Sequence, residues 1–171
     1  MKTPRPPARL ILSTPEHLIA FGFGAGLAPA APGTAGTLVG LPLFALLALL
    51  PLQAFAIAVA VLFLFGCWVC GRSAKLLGVH DYGGIVFDEI VGYLVAASPL
   101  LLFDVQGMAV WAGGMAAAFL LFRLFDILKP WPIAVLDRQV GGGFGIMLDD
   151  LLAGVLAALP VWAGLRVMAV W

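Results

Sequence analysis

Charge is what this chain has least of. Asp, Glu, Lys and Arg make up 11% of its 171 residues, nine of each sign, against 63% hydrophobic residues and a mean hydropathy of +1.12. A soluble domain is about half apolar and about a quarter charged. There is too little polar side chain here to clothe a water-soluble globule of this size, so the composition points to an integral membrane protein. A formal net charge of zero supplies no overall field for nucleic acid, and none is expected as a partner. Only two cysteines occur, Cys67 and Cys70, and both lie in an apolar run. Redox and zinc chemistry need exposed thiolates or further ligands, so these read as small buried hydrophobes. No cleavable signal peptide is read near Lys2, Arg5 and Arg9, which stand among prolines without a long apolar core.

What is there is a series of apolar runs with polar punctuation. The length suits one domain. Residues 1–14 read as a flexible basic tail, and 16–23 as a short interfacial helix with Thr14 as N-cap and Pro15 at the first helical position. His17 in that piece is expected at the surface. Apolar runs follow at 38–52, 54–71, 85–103, 108–125 and 151–170. The first is about 22 Å long as a helix, short against a hydrocarbon core of about 30 Å, unless it extends back through the preceding glycine-rich loop. The expected fold is all-α, a polytopic membrane bundle of about five apolar helices. Basic residues gather on one side: Lys2, Arg5, Arg9, Arg72, Lys75, Arg123, Lys129 and Arg138, against Arg166 alone on the other. The positive-inside rule makes that side cytoplasmic.

The same side carries the candidate chemistry. The loop from Gly22 to Thr37 holds glycines that admit close backbone approach and prolines that fix its shape. Gly33, Thr34 and Thr37 fall near a helix N-terminus, a place suited either to an anion or to simple capping. It matches neither a Walker loop nor a dinucleotide fingerprint. Asp88-Glu89 and Asp149-Asp150 open apolar runs, where carboxylates are expensive and turn toward partners. One acid from each pair, joined by Asp126, would make an all-oxygen site that favours magnesium. The competing reading pairs these acids with Arg123, Lys129 and Arg138 as structural salt bridges. Those bases can instead hold phosphate oxygens. His80 is a candidate proton donor beside Asp81. Asp137 reads as a loop cap or supporting acid, Trp131 as an interface anchor, and 141–145 as a linker or an anion-approaching loop.

Three blocks then carry a resemblance. They are Gly22-Phe-Gly24-Ala-Gly26 through Pro32-Gly33-Thr34-Ala-Gly36-Thr37; Gly78-Val-His80-Asp81 through Asp88-Glu89; and Phe122-Arg123-Leu-Phe-Asp126-Ile-Leu-Lys129-Pro-Trp-Pro through Asp137-Arg138 to Asp149-Asp150. Along most of its length the chain resembles the phosphatidylglycerophosphatase A family. The resemblance implies a magnesium-dependent phosphatase of the bacterial inner membrane that removes the terminal phosphate of phosphatidylglycerophosphate. It implies catalytic roles among His80, Asp81 and Asp126, metal ligands among Asp88, Glu89, Asp149 and Asp150, and phosphate contacts from Arg123, Lys129, Arg138, Gly33, Thr34 and Thr37. Where the family often has His-Gly-Gly after the Asp-Arg pair, this chain has Gly141-Gly-Gly, which shifts weight to His80. Other phosphatase signatures, Cys-x5-Arg, Asp-x-Asp-x-Thr and Ser-Gly-His, are missing. Rival readings are a small ion-coupled transporter, which would place its polar groups at midplane, and a structural lipid-binding module.

Overall fold

The computed structural model describes residues 5–79, 82–103 and 107–168. Among these, regular structure is entirely helical, as the apolar runs lead one to expect. Helices α1 (Ala8–Ser13) and α2 (Pro15–Ala20) come first, followed by a 3-10 turn over Gly22–Leu27. The basic segment is therefore not a tail throughout. It folds into α1, with Ile11 fully buried, because an apolar Leu-Ile-Leu run interrupts its prolines and bases. Thr14 does stand at the N-cap of α2 with Pro15 at N1, although its side chain makes no capping bond.

Helix α3 (Pro32–Leu47) begins six residues before the apolar run that signals it. Proline tolerates the first helical turn, where its missing N–H is no loss. Helix α4 (Leu52–Leu77) starts after Pro51 and stops at Gly78, whose φ of 67° is left-handed. Helix α5 (Phe87–Ala97) ends early and continues as a 3-10 turn through Leu101, so the run at 85–103 is not one regular helix. Helix α6 (Met108–Leu128) ends where Lys129 turns to φ 41° before Pro130. A short helix α7 (Ile133–Gln139) occupies a stretch read as loop, and α8 (Gly142–Met168) closes the described chain. Its start corrects the reading at 151–170. The glycines at 142–145 are helical, so Asp149 and Asp150 lie two turns inside the helix rather than at its mouth.

Helix α5 is the axis of the molecule. It packs against α3, α4, α6 and α8, and eight of its eleven residues are buried. The other long helices turn large apolar side chains outward: Ile57, Val61, Leu64 and Trp68 on α4, Leu120, Leu124 and Ile127 on α6, and Val155, Leu159 and Trp162 on α8. Three helices, α4, α6 and α8, are long and apolar enough to cross a membrane. At 26 residues α4 is about 39 Å long. Helix α3, with 16 residues, is a shorter apolar helix. His17 is not at the surface. It is 2% exposed and sits 2.8 Å from the Ser73 hydroxyl, which fixes α2 against α4. Cys70 is buried and Cys67 partly so, both as free thiols.

Candidate active site

The site begins with two glycines. A Cβ on Gly154 would stand 2.4 Å from the Gly92 carbonyl oxygen, and one on Gly92 would stand 2.7 Å from the Asp150 carbonyl oxygen and 2.6 Å from the Phe122 ring. Helices α5 and α8 therefore meet backbone to backbone, the small-residue contact that lets apolar helices approach closely. Gly154 lies one turn beyond Asp150, and Gly92 one turn beyond Asp88 and three residues beyond Glu89. The glycine contact thus sets the acids of the two helices side by side. Asp88, Glu89 and Asp150 each offer a carboxylate oxygen within 4.8 Å of the others.

Such a cluster is costly when bare, because like charges in a poorly solvated place repel one another. Asp150 is buried, and Glu89 Oε2 and Asp150 Oδ2 have no hydrogen-bond partner among the described residues. Oxygen-only donors with spare lone pairs form a set that suits a small hard cation.

Helices α3 and α6 complete one wall. Arg123 Nη1 lies 2.6 Å from Asp126 Oδ2, one turn along α6, and 3.7 Å from Glu89 Oε1. Its Nε has no hydrogen-bond partner among the described residues. Gly33, in the first turn of α3, leaves the space this contact needs: a Cβ there would fall 2.1 Å from Glu89 Oε1 and 2.9 Å from Arg123 Nη1. Asp126 also stands beside Asp150. The sequence reading joins one acid of each pair to Asp126; here Asp126 stands beside Asp150, and both Asp88 and Glu89 come close to Asp150.

Asp149 faces a different partner. Lys129 Nζ reaches it from the left-handed turn after α6, and also lies 3.0 Å from Asp137 Oδ1 on α7. Burial pulls the Lys129 ammonium down, but the hydrogen bonds and charges of Asp149 and Asp137 outweigh that, and the net displacement is upward. Lys129 stays cationic at any physiological pH. Asp149 thus pairs with Lys129, one of the bases the salt-bridge reading names, and Asp137, read as a loop cap or supporting acid, pairs with the same lysine.

Other expected residues are placed as follows. His80 and Asp81 lie outside the described residues. Thr37 is buried, and its hydroxyl donates to the Gly33 carbonyl at 2.8 Å, so that donor is spent within α3. Thr34 is half-buried on the first turns of the same helix. Arg138 is exposed in the last turn of α7. Trp131 is 82% exposed, as an interface residue would be. Gly143, read as linker or anion loop, is instead a packing residue: a Cβ there would be 1.8 Å from the Cys67 carbonyl oxygen. Gly92 and Gly154 went unnoticed in the sequence. The available signal was their position one turn past an acid within an apolar run.

A family model described as phosphatidylglycerophosphatase A matches residues 18–165. Similar proteins include the phosphatidylglycerophosphatase A of Escherichia coli (strain K12), 44% identical over 88% of this chain and 84% of its own length. That of Haemophilus influenzae (strain Rd) is 46% identical over 92% of this chain and 93% of its own. A relative from Bacteroides thetaiotaomicron, provisionally named a phosphatidylinositol-3-phosphatase, is 42% identical over 84% of this chain and 89% of its own. No solved structure matches. On the family model and on these identities over most of both chains, the chain belongs to the phosphatidylglycerophosphatase A family.

Proposed function

We propose that this protein hydrolyses the terminal phosphomonoester of phosphatidylglycerophosphate in the bacterial inner membrane, releasing phosphatidylglycerol and inorganic phosphate. The family supplies the activity. The observation that carries the site is the acid trio Asp88, Glu89 and Asp150, placed against Arg123. Helices α3 and α5 cross the membrane alongside α4, α6 and α8, giving five crossings, with α1 and α2 at the interface. The basic side, with Arg5, Arg72, Lys75, Lys129 and Arg138, then faces the cytoplasm by the positive-inside rule.

Hydrolysis of phosphate monoesters is among the slowest uncatalysed reactions, so the site must stabilise much charge on the transferring group. Asp88, Glu89 and Asp150 would hold magnesium, which when bound offsets phosphoryl charge and acidifies a water. Arg123, held by Asp126, directs its guanidinium at the phosphoryl oxygens, with its Nε available. Lys129 adds a second fixed positive charge, kept in place by Asp149 and Asp137. A water oxygen attacks phosphorus and passes one proton to a phosphoryl oxygen, the bond from phosphorus to the glycerol oxygen breaks, and that oxygen takes a proton. His80 is the residue proposed to give it. Asp126 is engaged with Arg123, which favours water as the nucleophile over an aspartyl-phosphate.

Phosphate release from phosphatidylglycerophosphate by the purified protein in detergent tests this, with phosphatidic acid as the comparison lipid. Turnover of the first, strongly preferred over the second, is expected. No release from either would end the reading.

A further inference from the structure

Residues 1–14 hold Lys2, Arg5 and Arg9 and no acid. Helix α1 docks this basic stretch on the bundle. Ile11 belongs to the buried cluster that takes in Phe21 and, near the basic end of α4, Val69, Cys70 and Ala74. At about 100° per residue Leu10 and Leu12 flank Ile11, and Arg9 lies opposite it. All three are exposed. The Gly22–Leu27 turn sets Phe23, 68% exposed, beside them, since a Cβ on Gly24 would stand 3.4 Å from Leu12 Cδ2.

We propose that α1 and this turn form a foot that grips anionic lipid at the basic face of the bundle, and that the grip holds Asp88 and Glu89 in position. The effect on turnover rests on the phosphatase reading; the foot itself does not.

The backbone argues for an apolar partner. Gly22, Phe23 and Gly24 have φ of 56°, 58° and 101°. Glycine takes such values freely, whereas a phenylalanine there is strained. The chain keeps that strain and turns the ring outward, where water offers it nothing. An exposed ring beside leucines and an arginine suits the bilayer interface, where aromatics lie at headgroup depth and long basic side chains reach the phosphates. Charge then selects the lipid. Arg5 and Arg9 are exposed, and a basic cluster beside a membrane is drawn to anionic headgroups. Arg5 Nη2 also donates to the Pro29 carbonyl at 2.7 Å, which holds the segment before α1 against the loop before α3. A second copy seated symmetrically here would set bases against bases.

The foot is clamped to the helix that carries the acids. Val86, the N-cap of α5, donates its backbone N–H to the Ala20 carbonyl at 2.8 Å. A Cβ on Gly22 would stand 2.9 Å from Val86 Cγ2, and one on Gly26 would run into the Gly84 carbonyl. Asp88 and Glu89 lie in the first turn after Val86. A foot pulled from its seat therefore carries the start of α5 with it.

The experiment measures phosphate release in nanodiscs of phosphatidylcholine, with and without about a third phosphatidylserine, at one low surface fraction of phosphatidylglycerophosphate. Wild type should turn over roughly fivefold faster in the anionic discs, and high salt should remove the gain. Arg5→Gln/Arg9→Gln should lose the gain and keep wild-type turnover in neutral discs. Phe23→Gly relieves the backbone, so its thermal midpoint in detergent should not fall, yet its gain should shrink at least about twofold. No gain in wild type would overturn the proposal, as would an equal gain in all three proteins. So would a loss of turnover in neutral discs, which marks a structural role, or a change of oligomeric state, which assigns the face to a second copy. Phosphatidylserine carrying a diazirine near its headgroup reads the foot without turnover. Label on residues 9–12 and 23 supports it, and absence of label from both contradicts it. If wild type releases no phosphate in any disc, the phosphatase reading fails while the label still decides the foot.

Discussion

Two acidic clusters lie within a few residues of each other, and they solve the same problem differently. At Lys129 an ammonium stands between Asp137 and Asp149, so each carboxylate has a counter-charge from the chain itself. At Asp88, Glu89 and Asp150 three carboxylates converge with one nearby guanidinium, which is closer to Asp126 than to Glu89. Adjacent residues, Asp149 and Asp150, go one to each cluster. A chain so poor in charge places a shared lysine between one set and gathers the other beside a single arginine. The first arrangement fixes a cation in place, and the second crowds acids together, which is the difference the proposed chemistry uses.

The largest expected effect separates the two directly. Glu89→Gln and Asp150→Asn each remove the charge of a proposed ligand, and should lower kcat by on the order of 10²–10³-fold while the protein stays folded. Circular dichroism and phosphate release measure both halves. A fully active Asp150→Asn protein would dissolve the distinction between the clusters.

Next comes the contact that builds the trio. Gly154→Ala drives a methyl into the Gly92 carbonyl and pushes α5 from α8. Overpacking of this kind costs about 1–3 kcal/mol, and displacing the acids by about 1 Å should lower kcat on the order of 10- to 100-fold. Thermal unfolding and turnover, measured together, check it.

Lys129→Ala leaves Asp137 and Asp149 without their ammonium. A loss of about 2 kcal/mol in stability is expected, with roughly a tenfold loss of turnover from the missing charge at phosphate. Arg138→Ala, at an exposed position, should change activity less than about threefold, and less again in high salt. If Arg138 mattered more than Lys129, the internally paired cluster would have been assigned the wrong role.

How much of this could be read beforehand depends on what each residue answers to. Helical class, apolar runs and the gathering of charge at one side follow from composition and order, which are local properties. The ends of helices were less legible. Gly142 to Gly145 discourage a helix by propensity, yet α8 includes them because Gly143 fits against the Cys67 carbonyl, a tertiary reason. The same holds for the acids. Adjacent carboxylates on one helix project in different directions, and which of Asp149 and Asp150 turned to Lys129 depended on α6 and α7. Both Asp88 and Glu89, in the first turn of α5, come within 4.8 Å of Asp150, a placement set by how α5 meets α8.

His17 supplies the smallest effect and a control remote from both clusters. Burial lowers its pKa, against a smaller upward pull from Glu16. The unfolded chain therefore binds the proton more readily, so stability is full above about pH 6.5 and falls as pH drops through the folded value. Thermal unfolding between about pH 5 and pH 8 should show that decline in wild type and a shallower one in His17→Gln. An identical slope in both proteins would remove His17 from the account.

The central claim is that Asp88, Glu89 and Asp150 are completed by a divalent cation. Phosphate release from phosphatidylglycerophosphate, followed through chelation and then stepwise return of magnesium, tests it most directly. The account predicts loss of turnover on chelation and saturable recovery with magnesium in wild type, with no recovery in Asp150→Asn. Full turnover in the presence of chelator would contradict it.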